Sequence, residues 1–198
     1  MSGTLVNKDC MEHMMDIDTG SIDLVLTDIS NKGLHSLIEG EADLLLCDLS
    51  EFLQHIYRIT KDILTVFCDY SLYHKIHSFF SNSIGTTKTL IWKQTYPNRT
   101  VIDLSKTKLA IWVKKKRNYI YPPQVDYSSI EELIRENTRE DELIYDPCAG
   151  KGDYLLEAMR LKRRFLGCEI NREYYEIAQQ RLTDYMEVIY NGDKSQSV

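Results

Sequence analysis

Leu143-Ile144-Tyr145-Asp146-Pro147-Cys148-Ala149-Gly150-Lys151-Gly152-Asp153 passes from an apolar run through an acid into a glycine turn, and its reading decides the fold. Leu143-Ile144-Tyr145 is a short strand closed by Asp146, and Asp153 to about Arg163 reads as a helix. Arg164-Phe165-Leu166-Gly167-Cys168-Glu169 then reads as a second strand that again ends in a carboxylate. A strand–glycine loop–helix–strand–acid unit of this kind holds an adenosyl-type cofactor in open α/β sheets. The glycines let the backbone approach the ligand, and the acid at the next strand tip accepts hydrogen bonds from ribose hydroxyls. Taken singly, Asp146 reads as a helix cap and Glu169 as a surface acid; the glycine spacing between them favours the cofactor reading.

Outward from this unit the chain alternates strands and helices. Thr4–Asn7 reads as a strand and Cys10–Asp16 as a short helix. Ile22-Asp23-Leu24-Val25-Leu26-Thr27-Asp28 is a strand ending in a carboxylate, before a loop around Asn31-Lys32-Gly33. Leu49, Phe52, Leu53, Ile56 and Ile59 have helical spacing over Leu49–Thr60, and Ile63–Cys68 is the continuous apolar run of a strand covered on both faces. Ser71–Phe80 follows as a helix. Thr87–Lys93 and Lys108–Val113 read as an antiparallel pair at a sheet edge. Pro122-Pro123 breaks the chain, Ser129–Glu136 is a helix, Glu173–Met186 is an amphipathic helix, and 191–198 reads as a disordered tail. The pattern predicts one α/β domain over 1–190, with halves at 1–121 and 128–190. Its sheet is mostly parallel with an antiparallel edge hairpin, and helices cover both faces. Ligands bind such sheets at the carboxyl ends of strands, so Asp28, Asp146 and Glu169 are expected along one rim.

Composition narrows the classes. The 198 residues are 43% hydrophobic and 27% charged, ordinary for a globular chain. No apolar stretch reaches membrane-spanning length and the N-terminus has no basic-then-apolar signal, so an intracellular place, cytoplasm or nucleus, is expected. Five scattered cysteines without a CxxC pair argue for reduced thiols and against a metal site. His13, His35, His55, His74 and His77 show no metal spacing with them, and Cys148 and Cys168 read as small packing residues. A net charge of −6 does not favour nucleic acid, although Lys114-Lys115-Lys116-Arg117 and the set Arg160, Lys162, Arg163, Arg164 are locally basic. Each basic cluster reads equally well as a solvated surface.

Together these segments resemble the circularly permuted (beta-class) amino-methyltransferases of DNA, in which the catalytic motif precedes the cofactor motif. Leu5–Cys10 through Ser21–Asp28 is similar to that family's opening, where a strand runs into Asp-Pro-Pro-Tyr. Asp146-Pro147-Cys148-Ala149-Gly150-Lys151-Gly152 resembles its Asp-Pro-Phe-Ala-Gly-Ser-Gly loop, and Phe165–Tyr175 with Ile177-Ala178 and Arg181-Leu182 resembles the strand and helix that follow. Trp92-Lys93 and Ala110–Lys115 match the two edge strands. The resemblance implies a Rossmann-like methyltransferase fold with S-adenosylmethionine as cofactor. Asp146 and the backbone at Ala149, Gly150 and Gly152 would hold its methionine part, Glu169 the ribose hydroxyls, and Asp9 the adenine end. Asp28 would be the catalytic acid, with DNA as partner and no metal or membrane involved.

The catalytic tetrapeptide departs from the family, since Asp28 is followed by Ile29-Ser30-Asn31. In the family, the acid and a neighbouring carbonyl accept the hydrogens of an exocyclic base amine, and the aromatic residue stacks on the extruded base. Stacking is worth about 1–3 kcal/mol, and Asn31 offers no aromatic face. Tyr70, Tyr96, Tyr119 and Tyr121 are candidate substitutes. Pro122–Ser128 replaces a His-Pro-x-x-Lys-Pro segment, while Lys151 and Asp153 stand where small or hydroxyl residues are expected and could crowd or re-charge the pocket. With no room for a large target-recognition domain, only the 94–106 loop and the basic 114–121 stretch are expected to touch DNA. Two readings follow. One is an active transferase acting on adenine in preference to cytosine, because the retained acid is Asp. The other is a degenerate relative serving as a DNA-binding or regulatory partner subunit of an active methyltransferase.

Overall fold

The computed structural model describes residues 2–29, 42–82, 86–92, 108–115, 127 and 129–195. Seven strands form one sheet: β1 (Gly3–Val6), β2 (Ile22–Ile29), β3 (Thr60–Cys68), β4 (Thr86–Trp92), β5 (Lys108–Lys114), β6 (Leu143–Asp146) and β7 (Arg164–Cys168). Their order is β1-β7-β6-β2-β3-β5-β4. The first five of these lie parallel, and β5 runs antiparallel to both β3 and β4. The first strand of the chain therefore lies beside the last. Carboxyl ends of β1, β7, β6, β2 and β3 share one rim, and Lys108, which opens the reversed β5, is at the same end of the sheet.

Two cores sandwich the sheet. On one face α1 (Cys10–Met15), α2 (Ala42–Ile59) and α3 (Tyr70–Asn82) pack against Ile22, Val25, Leu64, Val66, Ile111 and Tyr145. On the other, α4 (Ile130–Asn137), α5 (Asp153–Arg160) and α6 (Arg172–Ser195) pack against Leu24, Leu26, Ile63, Phe67, Trp112 and Ile144. Neighbouring strand residues point to opposite faces, so Leu24 and Val25 enter different cores. That explains the continuous apolar runs of β2 and β3: both faces are covered.

Element boundaries moved where side-chain and turn chemistry overrode periodicity. Helix α2 begins at Ala42 and not Leu49, and β3 begins at Thr60. Helix α5 stops at Arg160, short of the expected Arg163. Lys162 there has φ +61, and the Arg163 and Lys162 N–H groups donate back to the Ala158 and Met159 carbonyls, the turn that ends helices in a left-handed residue. Usually that residue is glycine, so the stop was not visible. Helix α6 continues to Ser195, into the stretch expected as a tail, and 196–198 lie outside the described residues. Helix α4 starts one residue late because Ser129 caps it, its Oγ accepting from Glu132 N at 3.1 Å.

The second basic cluster is structural. Arg163 is buried and donates to Thr138 Oγ1, Thr138 O and Leu161 O, while Lys162, Arg160 and Arg164 reach Glu140, Glu157 and the Asp141 carbonyl. Of the 114–121 stretch, Lys114 pairs with Asp62, and Lys115 donates to the Tyr57 and Thr60 carbonyls. Both lysines lie at the end of β5 that meets the start of β3, away from the carboxylate rim. Residues 116–121 and 94–106, which carry the rest of the expected DNA contact, lie outside the described residues.

Candidate active site

Strand β6 delivers Asp146 to the rim, where the chain must turn into α5. Gly150 (φ +52) and Gly152 (φ +80) take backbone angles that other residues adopt only with strain. A Cβ on Gly152 would sit 3.0 Å from the Ala178 Cβ, so glycine there also lets α6 approach the loop. The Ala149 N–H donates to Cys168 O and fastens the loop to the tip of β7. Asp146 is buried, and its Oδ1 accepts from Cys148 N at 3.0 Å.

Glu169 follows β7 directly. Its Oε2 accepts from Gly150 N at 2.7 Å and its Oε1 from Asn171 N at 2.8 Å. Each oxygen retains a second lone pair for another donor. Asn7, after β1, donates through Nδ2 to the Glu169 and Ile170 carbonyls, stapling the N-terminal turn to this tip. Asp9 is nearby, but its Oδ1 caps α1 by accepting from Met11 N at 2.7 Å. Both cap bonds fall on Oδ1, from Met11 N and Glu12 N, so the Oδ2 side of the carboxylate is not used by the cap.

Asp28 lies in β2, next to β6, with Ile29 completing the strand beyond it. Its Oδ2 holds the Lys108 ammonium, while its Oδ1 is buried without a hydrogen-bond partner. Three carboxyl groups thus meet at one place. Burial pushes the Asp146 carboxyl up to about 7 from the ordinary 3.8, and the charges of Asp28 and Glu169 push in the same direction, against the Cys148 N–H and the Thr27 hydroxyl. Tyr154, from α5, packs on Phe67 with ring centroids 5.7 Å apart. Burial first, then the charges of Asp28 and Asp146, hold its phenol well above the ordinary value. The site is therefore a low-dielectric, carboxylate-rich cleft, in which a cationic ligand would relieve the charge on Asp146.

The two residues expected to obstruct it turn elsewhere. Lys151 Nζ lies 5.6 Å from the Tyr174 ring centroid, and Asp153 pairs with Arg181 at 2.7 Å. Of the candidate stacking residues, Tyr70 heads α3 just beyond the β3 tip and is 42% exposed, its ring edge against His74. Tyr96, Tyr119 and Tyr121 lie outside the described residues, as does most of Pro122–Ser128; the hydroxyl of Tyr127 accepts from Asn137. His13 hydrogen-bonds the Tyr145 hydroxyl through Nδ1 at 3.1 Å, and burial lowers its pKa, a packing role. Among the described residues no cluster suited to a metal ion occurs, and no helix is long and apolar enough to cross a membrane. Burial pushes the Cys68 and Cys168 thiols up to about 12, as expected of packing residues.

Sequence reading missed Lys108, Tyr154 and Asn7. Only Asn7 had a signal, its place beyond a rim strand. Lys108 reaches Asp28 across an intervening strand, a neighbourhood that requires the strand order.

An adenosyl-type cofactor fits these residues on three observations: the charge-stressed Asp146, the left-handed glycines that expose loop backbone, and the orphaned Asp28 oxygen. Residues 86–180 match a protein family described as DNA methylase. The M.HindIII type II methyltransferase of Haemophilus influenzae is 41% identical over 63 residues, 31% of this chain and 20% of that protein. M2.DpnII of Streptococcus pneumoniae is 39% identical over 62 residues, 31% of this chain and 23% of that protein. The methylase YubD of Escherichia coli is 29% identical over 79 residues, 40% of this chain and 35% of that protein. The chain thus spans about a third or less of the length of these curated relatives. Among solved structures, a protein of Thermus thermophilus described as a DNA modification methylase, complexed with S-adenosyl-L-methionine, superposes with a TM-score of 0.71 at 17% identity, covering 92% of this chain and 93% of that one. The cytosine-N4-specific PvuII DNA methyltransferase superposes with a TM-score of 0.69 at 15% identity, covering 91% and 86%. At such identities the likeness establishes the fold: that of S-adenosylmethionine-dependent methyltransferases.

Proposed function

We propose that this chain belongs to the amino-methyltransferase family of DNA, binds S-adenosylmethionine along the β7–β6–β2 rim and methylates an exocyclic amine of a DNA base; the match over residues 86–180 supports the family. The observation that carries this reading is the meeting of Asp28, Asp146 and Glu169 at one rim of the sheet, close enough for the other two charges to act on buried Asp146, although they lie far apart in the chain. The cofactor would supply a methyl group on a cationic sulfur, an electrophile that needs no metal. Asp146 and the Ala149–Gly152 backbone would hold the charged methionine end, and Glu169 the ribose hydroxyls. The free Oδ1 of Asp28 would accept a hydrogen from the target amine, whose lone pair is otherwise delocalised into the base. Tyr70 is the described residue placed to stack on that base. Adenine is favoured over cytosine because the retained acid is Asp. The order of Asp28 before the glycine loop supports the permuted arrangement, and DNA as substrate implies an intracellular place.

A second reading is favoured by one observation, the Lys108 ammonium on Asp28 beside the altered Ile29-Ser30-Asn31. In it the chain keeps the cofactor cleft but serves as a DNA-binding or regulatory subunit of a competent methyltransferase. Calorimetry with S-adenosylmethionine and its demethylated product, followed by labelled methyl transfer to DNA, separates the two. The enzyme reading expects binding, transfer, and loss of transfer in Asp28→Ala. Binding without transfer to single- or double-stranded DNA of several sources selects the subunit reading, and a folded protein that binds neither ligand rejects both.

A further inference from the structure

We propose that Lys108 is itself a methyl acceptor of this site, its ε-amine resting on Asp28 where a substrate amine would hydrogen-bond. The inference rests on the cofactor reading above and adds an acceptor that is part of the chain. Lys108 opens β5 opposite the tip of β3, with Leu109 in register with Cys68 and Phe67 in register with Asp28. That register lets its side chain cross β3 at the rim and reach Asp28 Oδ2. Both side chains are partly covered, 38% exposed for Lys108 and 26% for Asp28. Among the described residues, Lys108 is the lysine whose ammonium pairs with a member of the carboxylate trio. Lys151 turns to Tyr174 and Lys8 to Asp16.

The chemistry favours such an acceptor. Paired with Asp28, Nζ is an ammonium without a lone pair; once it gives up a proton, the amine keeps its pair on nitrogen, whereas a base amine shares its pair with the ring. Asp28 presents Nζ in the same way it would present a base amine, and the proton leaves through that carboxylate to solvent. The Nζ lone pair then forms the N–C bond as the methyl C–S bond breaks, its electrons passing to sulfur. The products are Nζ-methyllysine and S-adenosylhomocysteine, and no other reactant is consumed.

Incubation with methyl-labelled S-adenosylmethionine, followed by peptide mass spectrometry, should find one added methylene mass on the Lys108 peptide. It should be absent in Lys108→Arg and in Asp28→Asn. A second readout needs no cofactor and tests only whether Nζ rests on Asp28: an amine-acetylating reagent should label Lys108 more slowly than exposed Lys151, and Asp28→Asn should remove that protection, whereas equal labelling of the two lysines in the parent protein overturns the placement and the inference with it. Calorimetry on the same samples separates the failures. Cofactor bound with Lys108 unmodified, or with the label on another residue, overturns this inference alone. No cofactor bound overturns it together with the reading on which it rests.

Discussion

Asp146 and Glu169 are served by backbone, whereas Asp28, on the neighbouring strand, is served by a side chain from a distant part of the sheet. Cys148, Gly150 and Asn171 N–H groups meet the first two acids within one loop unit. Lys108 meets Asp28 across 80 residues, from the far side of β3. A site built on backbone depends on glycines at fixed spacing and tolerates variation around them. A site completed by one side chain changes chemistry with one substitution. The difference teaches which carboxylates are held by one local loop unit and which one depends on the strand order.

Asp146→Asn should have the largest effect, because on the proposed reading it removes the buried charge that would face the cofactor cation. Hydrogen bonds to charged groups contribute about 1.5–3 kcal/mol, so calorimetry should show cofactor affinity falling by about 10–100-fold. The pH dependence has a definite sign. With the folded pKa raised to about 7 from 3.8, the stability this group contributes is complete below about pH 4 and is lost as pH rises to 7. Cofactor affinity should run the opposite way, rising by up to about tenfold per pH unit between 5 and 7 and levelling above, as the ionised form is the binding form. Asp146→Asn should flatten both profiles and melt higher than the parent at pH 8; a steep profile retained in the variant would refute the assignment.

Gly152→Ala comes next. It strains a φ of +80 and drives a methyl to 3.0 Å from the Ala178 Cβ, so a loss of about 1–3 kcal/mol is expected in denaturant unfolding, with weaker cofactor binding. Unchanged stability would mean the loop can relax and the backbone argument is too strict. Glu169→Gln should weaken cofactor binding by about tenfold, since a neutral amide accepts hydrogen bonds less strongly than a carboxylate. Lys151→Ala should have the smallest effect on affinity, because its ammonium lies over the Tyr174 ring and not on the carboxylate trio. A large gain in affinity would mean that this lysine does obstruct the cleft.

Much of the fold was legible because both signals are local. Continuous apolar runs marked β2 and β3, and the acid–glycine–helix–acid order marked β6 to β7. The α5 stop at a left-handed Lys162 was not, since no glycine or proline marks it. The basic clusters misled for a related reason. Charge is visible in sequence, but the partners that bury Arg163 on Thr138 and tie Lys115 to Tyr57 and Thr60 are not.

By itself the sequence determined the strand tips that carry Asp28, Asp146 and Glu169 and the glycines that let a ligand approach, because strand periodicity and positive backbone angles are written in consecutive residues. Only the tertiary structure decided that the first strand lies beside the last, that Asn7 staples the N-terminal turn to the Glu169 tip, and that Lys108 rests on Asp28. Those outcomes depend on the strand order, which is fixed by packing both faces of the sheet at once and not by any one segment.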